Sequence, residues 1–260
     1  IRSGGSSNFL RLLMSAVLAG LALVGPAQAN SASFVRDLWP EAERAGVSRQ
    51  AFEAAFASYN PIPQVIELTQ KQPEFTQTVQ QYVDKRVTAS QAAKGQAMRG
   101  EWAQTLAGAE QRYGVQPEIV LAIWGMETNF GSFMGGNNTI HALATLTEKG
   151  YRASFFRSEL VTALRIVSDG HIAPNAMVGS WAGAMGHTQF MPSSFMRYAV
   201  DYNGDGRKDI WNSVPDALGS TANYLKSFDW RPGETWGYEV KLPQGFNFAA
   251  AREMGSSPPA

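Results

Sequence analysis

Apolar and polar positions along this chain recur mostly with a helical period. Phe34–Ala45 and Ser48–Ala57 read as short helices, with Ser48 as an N-cap ahead of Phe52, Ala55 and Phe56. Asn60-Pro61-Ile62-Pro63 interrupts the pattern, because the residue before each proline is pushed toward extended backbone. Helical spacing resumes over Phe75–Val87, with Val79, Tyr82 and Val83 on one side. It returns at Trp102, Leu106, Ala109 and Tyr113, where Gly114 supplies a stop. Phe155, Phe156, Leu160, Ala163, Leu164 and Val167 keep a 3.6-residue period up to Gly170. Ala217, Leu218, Thr221, Ala222, Tyr224 and Leu225 repeat it after Pro215. Only Tyr238–Leu242 alternates as a strand would. The pattern predicts a mainly α (α+β) fold without internal repeats.

One predicted helix stands apart. In Pro117–Gly131, PEIVLAIWGMETNFG, Pro117 can open the helix because the first turn needs no amide donor there. Ile119, Val120, Ile123, Trp124 and Met126 make most of its surface apolar, as in a helix buried on several sides. Glu127 comes near the end, before Asn129 and Gly131. A carboxylate there is either an ion with a partner or a group kept protonated by its surroundings. The second state is what a general acid needs near neutral pH. The competing expectation is a partly exposed Glu in the last turn of a core helix.

Two loops carry further chemistry. Gly179–Pro192, GSWAGAMGHTQFMP, holds three glycines, a tryptophan and a glutamine, so its backbone is packed closely around a ligand or around its own side chains. Asp201-Tyr202-Asn203-Gly204-Asp205-Gly206 matches the opening of an EF-hand loop. Asp201, Asn203 and Asp205 would offer side-chain oxygens to calcium, Gly206 the turn, and Arg207 its carbonyl. The usual twelfth-position Glu is replaced by Asn212, so Asp216 closes the shell if the loop is longer than standard, and Asp209 could act directly or through water. Such a cation would be structural; a solvated Asx-rich turn is the alternative. His141, His171 and His187 are scattered and lack the spacing of a zinc site.

Charge and composition narrow the partners. The chain carries 22 basic and 22 acidic residues, which gives no electrostatic case for nucleic acid. Arg2 and Arg11, the apolar run Leu12–Val24 and Ala27-Gln28-Ala29 have the layout of a signal peptide over residues 1–29, cut after Ala29. The run is short for a membrane span, so no transmembrane span is expected after cleavage. The absence of cysteine removes disulfides and a lipid-modified cysteine alike. An exported, periplasmic protein is the expectation, and the missing initiating Met suggests a clipped start.

Three passages resemble the lytic murein transglycosylase B family: IWGMETNFG at 123–131, GSWAGAMGHTQFMPSSF at 179–195 and DYNGDGRKDIWNSVPDALGSTANYL at 201–225. The similarity runs from about Phe34 to Trp236. It implies a lysozyme-like helical core over residues 115–230, with the EF-hand-like loop at 201–216. A helical N-terminal region would occupy 30–114, and a small β element would begin in 231–260. It also implies non-hydrolytic cleavage of the MurNAc-β-1,4-GlcNAc bond in peptidoglycan glycan strands, without a catalytic cofactor. Glu127 matches the glutamate that protonates the leaving oxygen and then deprotonates the muramoyl C6 hydroxyl. Ser180 and Gln189 match groove residues. Tyr82 and Tyr224 match tyrosines that face the site, although both could equally be core aromatics. The calcium loop, with the late Asp216, belongs to the same resemblance; one extra residue before Asp216 departs from it. Family members run on past Ala260, so a truncated tail is expected. A non-catalytic peptidoglycan-binding or scaffolding module and a hydrolytic muramidase are the competing functions, the latter needing a second carboxylate.

Overall fold

A computed structural model describes residues 26–70, 79–234, 237 and 240–247. Most of the described chain is helical. A first layer holds α1 (Pro26–Arg44), α2 (Arg49–Phe56) and α3 (Pro63–Thr69). α1 starts well before the predicted Phe34, because an Ala- and Ser-rich lead-in sustains a helix without showing an apolar stripe. Ser48 caps α2 as expected, accepting from the Ala51 amide at 3.2 Å. α3 begins with Pro63 at its first turn, so the proline-rich break is itself a helix start.

α4 (Val79–Arg86) is the described part of the predicted Phe75–Val87 helix; its first four positions lie outside the described residues. Val83, on the predicted stripe, is 42% exposed, so it does not belong to the core. α5 (Ala89–Glu101) has no apolar stripe and no buried residue, and it escaped the pattern reading for that reason. Its start is set by a capping box between Thr88 and Gln91. α6 (Ala103–Tyr113) ends at Gly114 in the left-handed conformation, as predicted. Next comes α7 (Pro117–Thr128), which carries Glu127.

α8 (Thr139–Glu148) and α9 (Ala153–Ser168) form the centre of the molecule. α8 is buried nearly all round, so no 3.6-residue contrast betrays it in the sequence. Thr145 and Thr147 tolerate that burial by donating to the carbonyls of His141 and Leu143, at 2.7 and 2.8 Å. α10 (Pro192–Tyr198) begins where the carboxylate of buried Glu159 on α9 accepts from the Ser193 amide and hydroxyl, at 2.9 and 2.7 Å. The last helix, α11 (Val214–Ser227), follows the acidic loop.

Among the described residues the one sheet pairs β1 (Asn137–Asn138) with β2 (Val178–Gly179) in antiparallel register. The expected strand Tyr238–Leu242 is not seen. Its first two positions lie outside the described residues and Val240–Leu242 are irregular and exposed. Two apolar cores result. The larger gathers α1, α2, α3, α8, α9 and α10 around Leu143, Leu160 and Leu164. The smaller joins α6, α7 and α11 around Leu106, Trp124 and Leu218. Ala217 belongs to the first core and its neighbour Leu218 to the second, so α11 ties the two together.

Candidate active site

α7 ends abruptly. Asn129, Phe130 and Gly131 all take positive φ, at 50°, 58° and 73°, which turns the chain back on itself within three residues. A left-handed phenylalanine costs on the order of 1–2 kcal/mol, and packing offsets it. The Phe130 ring lies edge-on to Trp124 at 5.5 Å. Gly95 and Gly125 leave it room: a Cβ on Gly125 would come within 2.7 Å of the ring. The turn leaves Glu127 in the final helical turn with its side chain open to solvent. This corrects the expectation of a helix buried on several sides. Val120, Leu121, Trp124 and Thr128 are buried, whereas Ile119, Ile123 and Met126 are only partly covered.

Although reachable by solvent, the Glu127 carboxyl is crowded by protein. Burial raises its pKa above the ordinary value, and the Arg86 guanidinium pulls the other way. Arg86 is the last residue of α4; its Nη1 lies 3.5 Å from the Met126 carbonyl oxygen and its Cζ 5.4 Å from the Tyr82 ring centre. Tyr82 is therefore tied to the neighbourhood of Glu127 through Arg86. An open groove of about 340 Å³ runs between α5 and α7, lined by Arg86, Leu121, Ala122, Gly125, Met126 and Phe130, one residue short of Glu127.

The glycine-rich loop is bolted to α7 by a residue that pattern reading weighed only as a zinc ligand. His187 accepts from the Trp124 indole at Nδ1, 3.0 Å away, and its carbonyl accepts from the Thr128 hydroxyl at 2.6 Å. Burial lowers the His187 pKa, with Asp209 opposing, so the ring is held neutral and can accept that proton. Gln189, at φ 53°, donates to the carbonyls of Met134 and Gly186 at 3.1 and 2.9 Å. It braces the loop against the segment after α7. The Ser180 hydroxyl accepts from the amides of Ala182 and Ala184, at 3.3 and 3.1 Å, and so closes the loop's first turn. A Cβ on Gly179 would meet the Ala184 carbonyl oxygen at 2.3 Å and one on Gly186 the Ile210 oxygen at 2.6 Å. The glycines thus serve close packing of the loop on its own chain. Tyr224 stands farther along, among Phe190, Tyr198 and Phe228, with ring centres 5.6, 5.1 and 4.8 Å away.

The acidic loop gathers carboxylates. Oxygens of Asp201, Asp205 and Asp216 all lie within 4.8 Å of one another. Asp216 is fully buried and accepts from the amides of Tyr202, Asn203 and Asp209. Asp201 accepts from Gly204, Asp205 and Gly206. Asn203 accepts from the Asp205 amide at 3.0 Å, and the Arg207 amide donates to Asp205 at 2.9 Å. Asp209 faces elsewhere: it accepts from the amides of Trp211 and Asn212 at 3.0 and 2.8 Å and closes the turn into α11. Three convergent carboxylates repel unless a cation lies among them, and an all-oxygen set suits calcium. The residues present fit such an ion.

Comparison with known proteins decides the family. A family profile described as a transglycosylase SLT domain matches residues 30–259. The chain belongs to that family. Membrane-bound lytic murein transglycosylase B of Escherichia coli is 42% identical over 171 residues, covering 64% of this chain and 47% of that protein. Crystalline SltB3 from Pseudomonas aeruginosa, in complex with NAG-NAM-pentapeptide, superposes with a TM-score of 0.81 at 44% identity, over 84% of this chain and 59% of that one. The E. coli lytic transglycosylase Slt35 in complex with calcium gives 0.69 at 33% identity, over 88% and 76%. The helical core is therefore that of the lysozyme-like lytic transglycosylases. The SLT chain spans about half the length of the curated relative it matches. Among its described residues no helix is long and apolar enough to cross a membrane.

Proposed function

We propose that the chain is a peptidoglycan lytic transglycosylase acting on the bond between N-acetylmuramic acid and N-acetylglucosamine. The observation that carries the reading is the solvent-reachable carboxyl of Glu127 at the end of α7, whose proton affinity is raised by crowding. An acid whose pKa is raised toward the working pH can protonate the departing glycosidic oxygen. The resulting carboxylate then takes the proton from the muramoyl C6 hydroxyl as that oxygen attacks C1, closing the 1,6-anhydro ring. One carboxyl serves both steps because the attacking oxygen belongs to the substrate. A hydrolase would need a second carboxylate to activate water.

Gln189 and Ser180 brace the glycine-rich loop and the segment after α7, so their part would be to hold the shape of the chain beside the substrate. The family resemblance supports a substrate-facing part for Tyr82, whose ring lies under Arg86, and for Tyr224, whose ring packs among Phe190, Tyr198 and Phe228. Asp201, Asn203, Asp205 and Asp216, with the Arg207 carbonyl, would hold calcium, which would fasten the 201–216 loop to α11 and take no part in bond cleavage. The likeness to a calcium-bound relative supports this assignment. The NAG-NAM-pentapeptide in complex with SltB3 and the signal-like first 29 residues support action in the periplasm on glycan strands.

Digestion of purified sacculi followed by mass spectrometry tests the proposal. Anhydromuramoyl ends are expected, and Glu127→Gln should cut their release by about 10²–10⁴-fold while sacculus binding persists. Reducing muramic ends would assign the chain to the hydrolases. Binding without any cleavage by the native sequence would make it a recognition module.

A further inference from the structure

The end of α7 is surrounded by charged and titratable side chains from three directions. Arg86 and Tyr82 approach from α4. Lys94 approaches from α5, its Nζ donating to the Asn129 carbonyl at 2.7 Å and to the Ser132 hydroxyl. His187 approaches from the glycine-rich loop, neutral and engaged with Trp124. Lys94 is committed to the Asn129 carbonyl and the Ser132 hydroxyl, and His187 carries no charge. Arg86 alone among them is a cation acting on the Glu127 carboxyl, and none of the ion pairs among the described residues joins the two.

We propose that Arg86 is the positioning residue for Glu127: anchored on the Met126 carbonyl and stacked on Tyr82, its guanidinium supplies the positive charge against which the carboxylate form of Glu127 is held. The inference rests on the acid-then-base reading of Glu127. A residue that must donate a proton and later reclaim one needs both of its states within reach. Crowding alone would favour the neutral state and leave the carboxylate formed in the first step without support. A guanidinium at a distance, rather than in a salt bridge, stabilises the ionised state without neutralising the basic oxygen or occupying the space a sugar needs. The end of α7 also presents carbonyl oxygens, which a cation satisfies. Arg86 meets both needs from one place. Its Cζ lies over the face of the Tyr82 ring, 5.4 Å from the ring centre.

Glu127 titration and cleavage, measured separately, test the idea. Carbon-13 NMR of the glutamate carboxyls, with Glu127→Gln to identify the signal, follows the midpoint without substrate. In Arg86→Gln the midpoint should move to higher pH, and the alkaline limb of anhydromuramoyl release should move the same way. Arg86→Lys should lie closer to the native protein in both. In the native protein, added salt should raise the Glu127 midpoint, because screening weakens an exposed charge pair. A midpoint unmoved by Arg86→Gln and by salt overturns the proposal, even if activity falls. If the titration behaves as expected while no anhydro product forms at any pH, the transglycosylase reading fails and the Arg86–Glu127 coupling stands.

Discussion

The α8–α9 pair and the wall made by α4, α5 and the end of α7 are built on opposite principles. α8 is buried nearly all round, three threonines included, and α9 buries one whole face against it. In α5 no residue is buried, α4 exposes Val83, and Glu127 faces solvent. The first region carries stability and no candidate chemistry. The second carries the candidate acid and little stability. A proton donor must be reachable by a polymer, so its surroundings cannot be closed as a core is closed. The protein answers by hanging the open wall on a rigid centre through α7, whose Trp124 and Thr128 are clasped by His187.

The sharpest break in this comparison comes from Glu127→Gln. Anhydromuramoyl release should fall by about 10²–10⁴-fold, the usual worth of a general acid, with no drop in melting temperature. The sign follows from the raised pKa. The folded state holds the proton more tightly than the unfolded chain, so ionisation disfavours folding above the unfolded pKa, and a neutral Gln removes that cost at pH 7. A clear loss of stability would instead place Glu127 in the packing.

Leu143→Ala or Leu164→Ala, in the fully buried centre, should cost about 2–5 kcal/mol by denaturant unfolding. Val83→Ala, on the open wall, should stay within about 0.5 kcal/mol. Equal effects would erase the distinction between the two regions. Calcium comes next in size. Stabilisation of about 2.7 kcal/mol is expected at a hundredfold excess over the dissociation constant, read as a rise in melting temperature that EDTA reverses and Asp216→Asn prevents. An unchanged melting temperature would leave the acidic loop as a hydrogen-bonded turn.

The smallest effect is acid sensitivity between about pH 7 and pH 5, in the range of an ordinary histidine. His141, His171 and His187 all have pKa values lowered, first by burial. The unfolded chain therefore takes up protons before the folded one, and stability is complete above the unfolded pKa and declines as pH falls through it. His187→Gln should flatten this decline while loosening the clasp on Trp124. An unaltered slope would show that the His187 ring does not titrate on unfolding in this range.

α9 and α11 were legible because one apolar face contrasts with a wetter one, and α7 because Pro117 and Asn129 mark its ends. α8 was illegible for the opposite reason: burial on every side removes the contrast on which periodicity depends. α5 was missed because an exposed helix of Ala, Gln and Lys has no stripe at all. The gathering of Asp201, Asp205 and Asp216 was readable from side-chain type and spacing, whereas Asp209 caps the turn into α11 instead. The roles of Ser180 and Gln189 as braces were not, since their partners at Ala184 and Met134 depend on where the loop lies.

By itself the sequence determined that the chain is helical, that Glu127 sits at the end of a capped apolar helix, and that an oxygen-rich loop precedes α11. These follow from local spacing and from backbone preferences that need no distant partner. Only the tertiary structure decided that Glu127 is open rather than buried, that Arg86 stands over the end of α7, and that His187 locks the glycine-rich loop to Trp124. Exposure and charge proximity are properties of surfaces brought together from far along the chain. No local pattern encodes them.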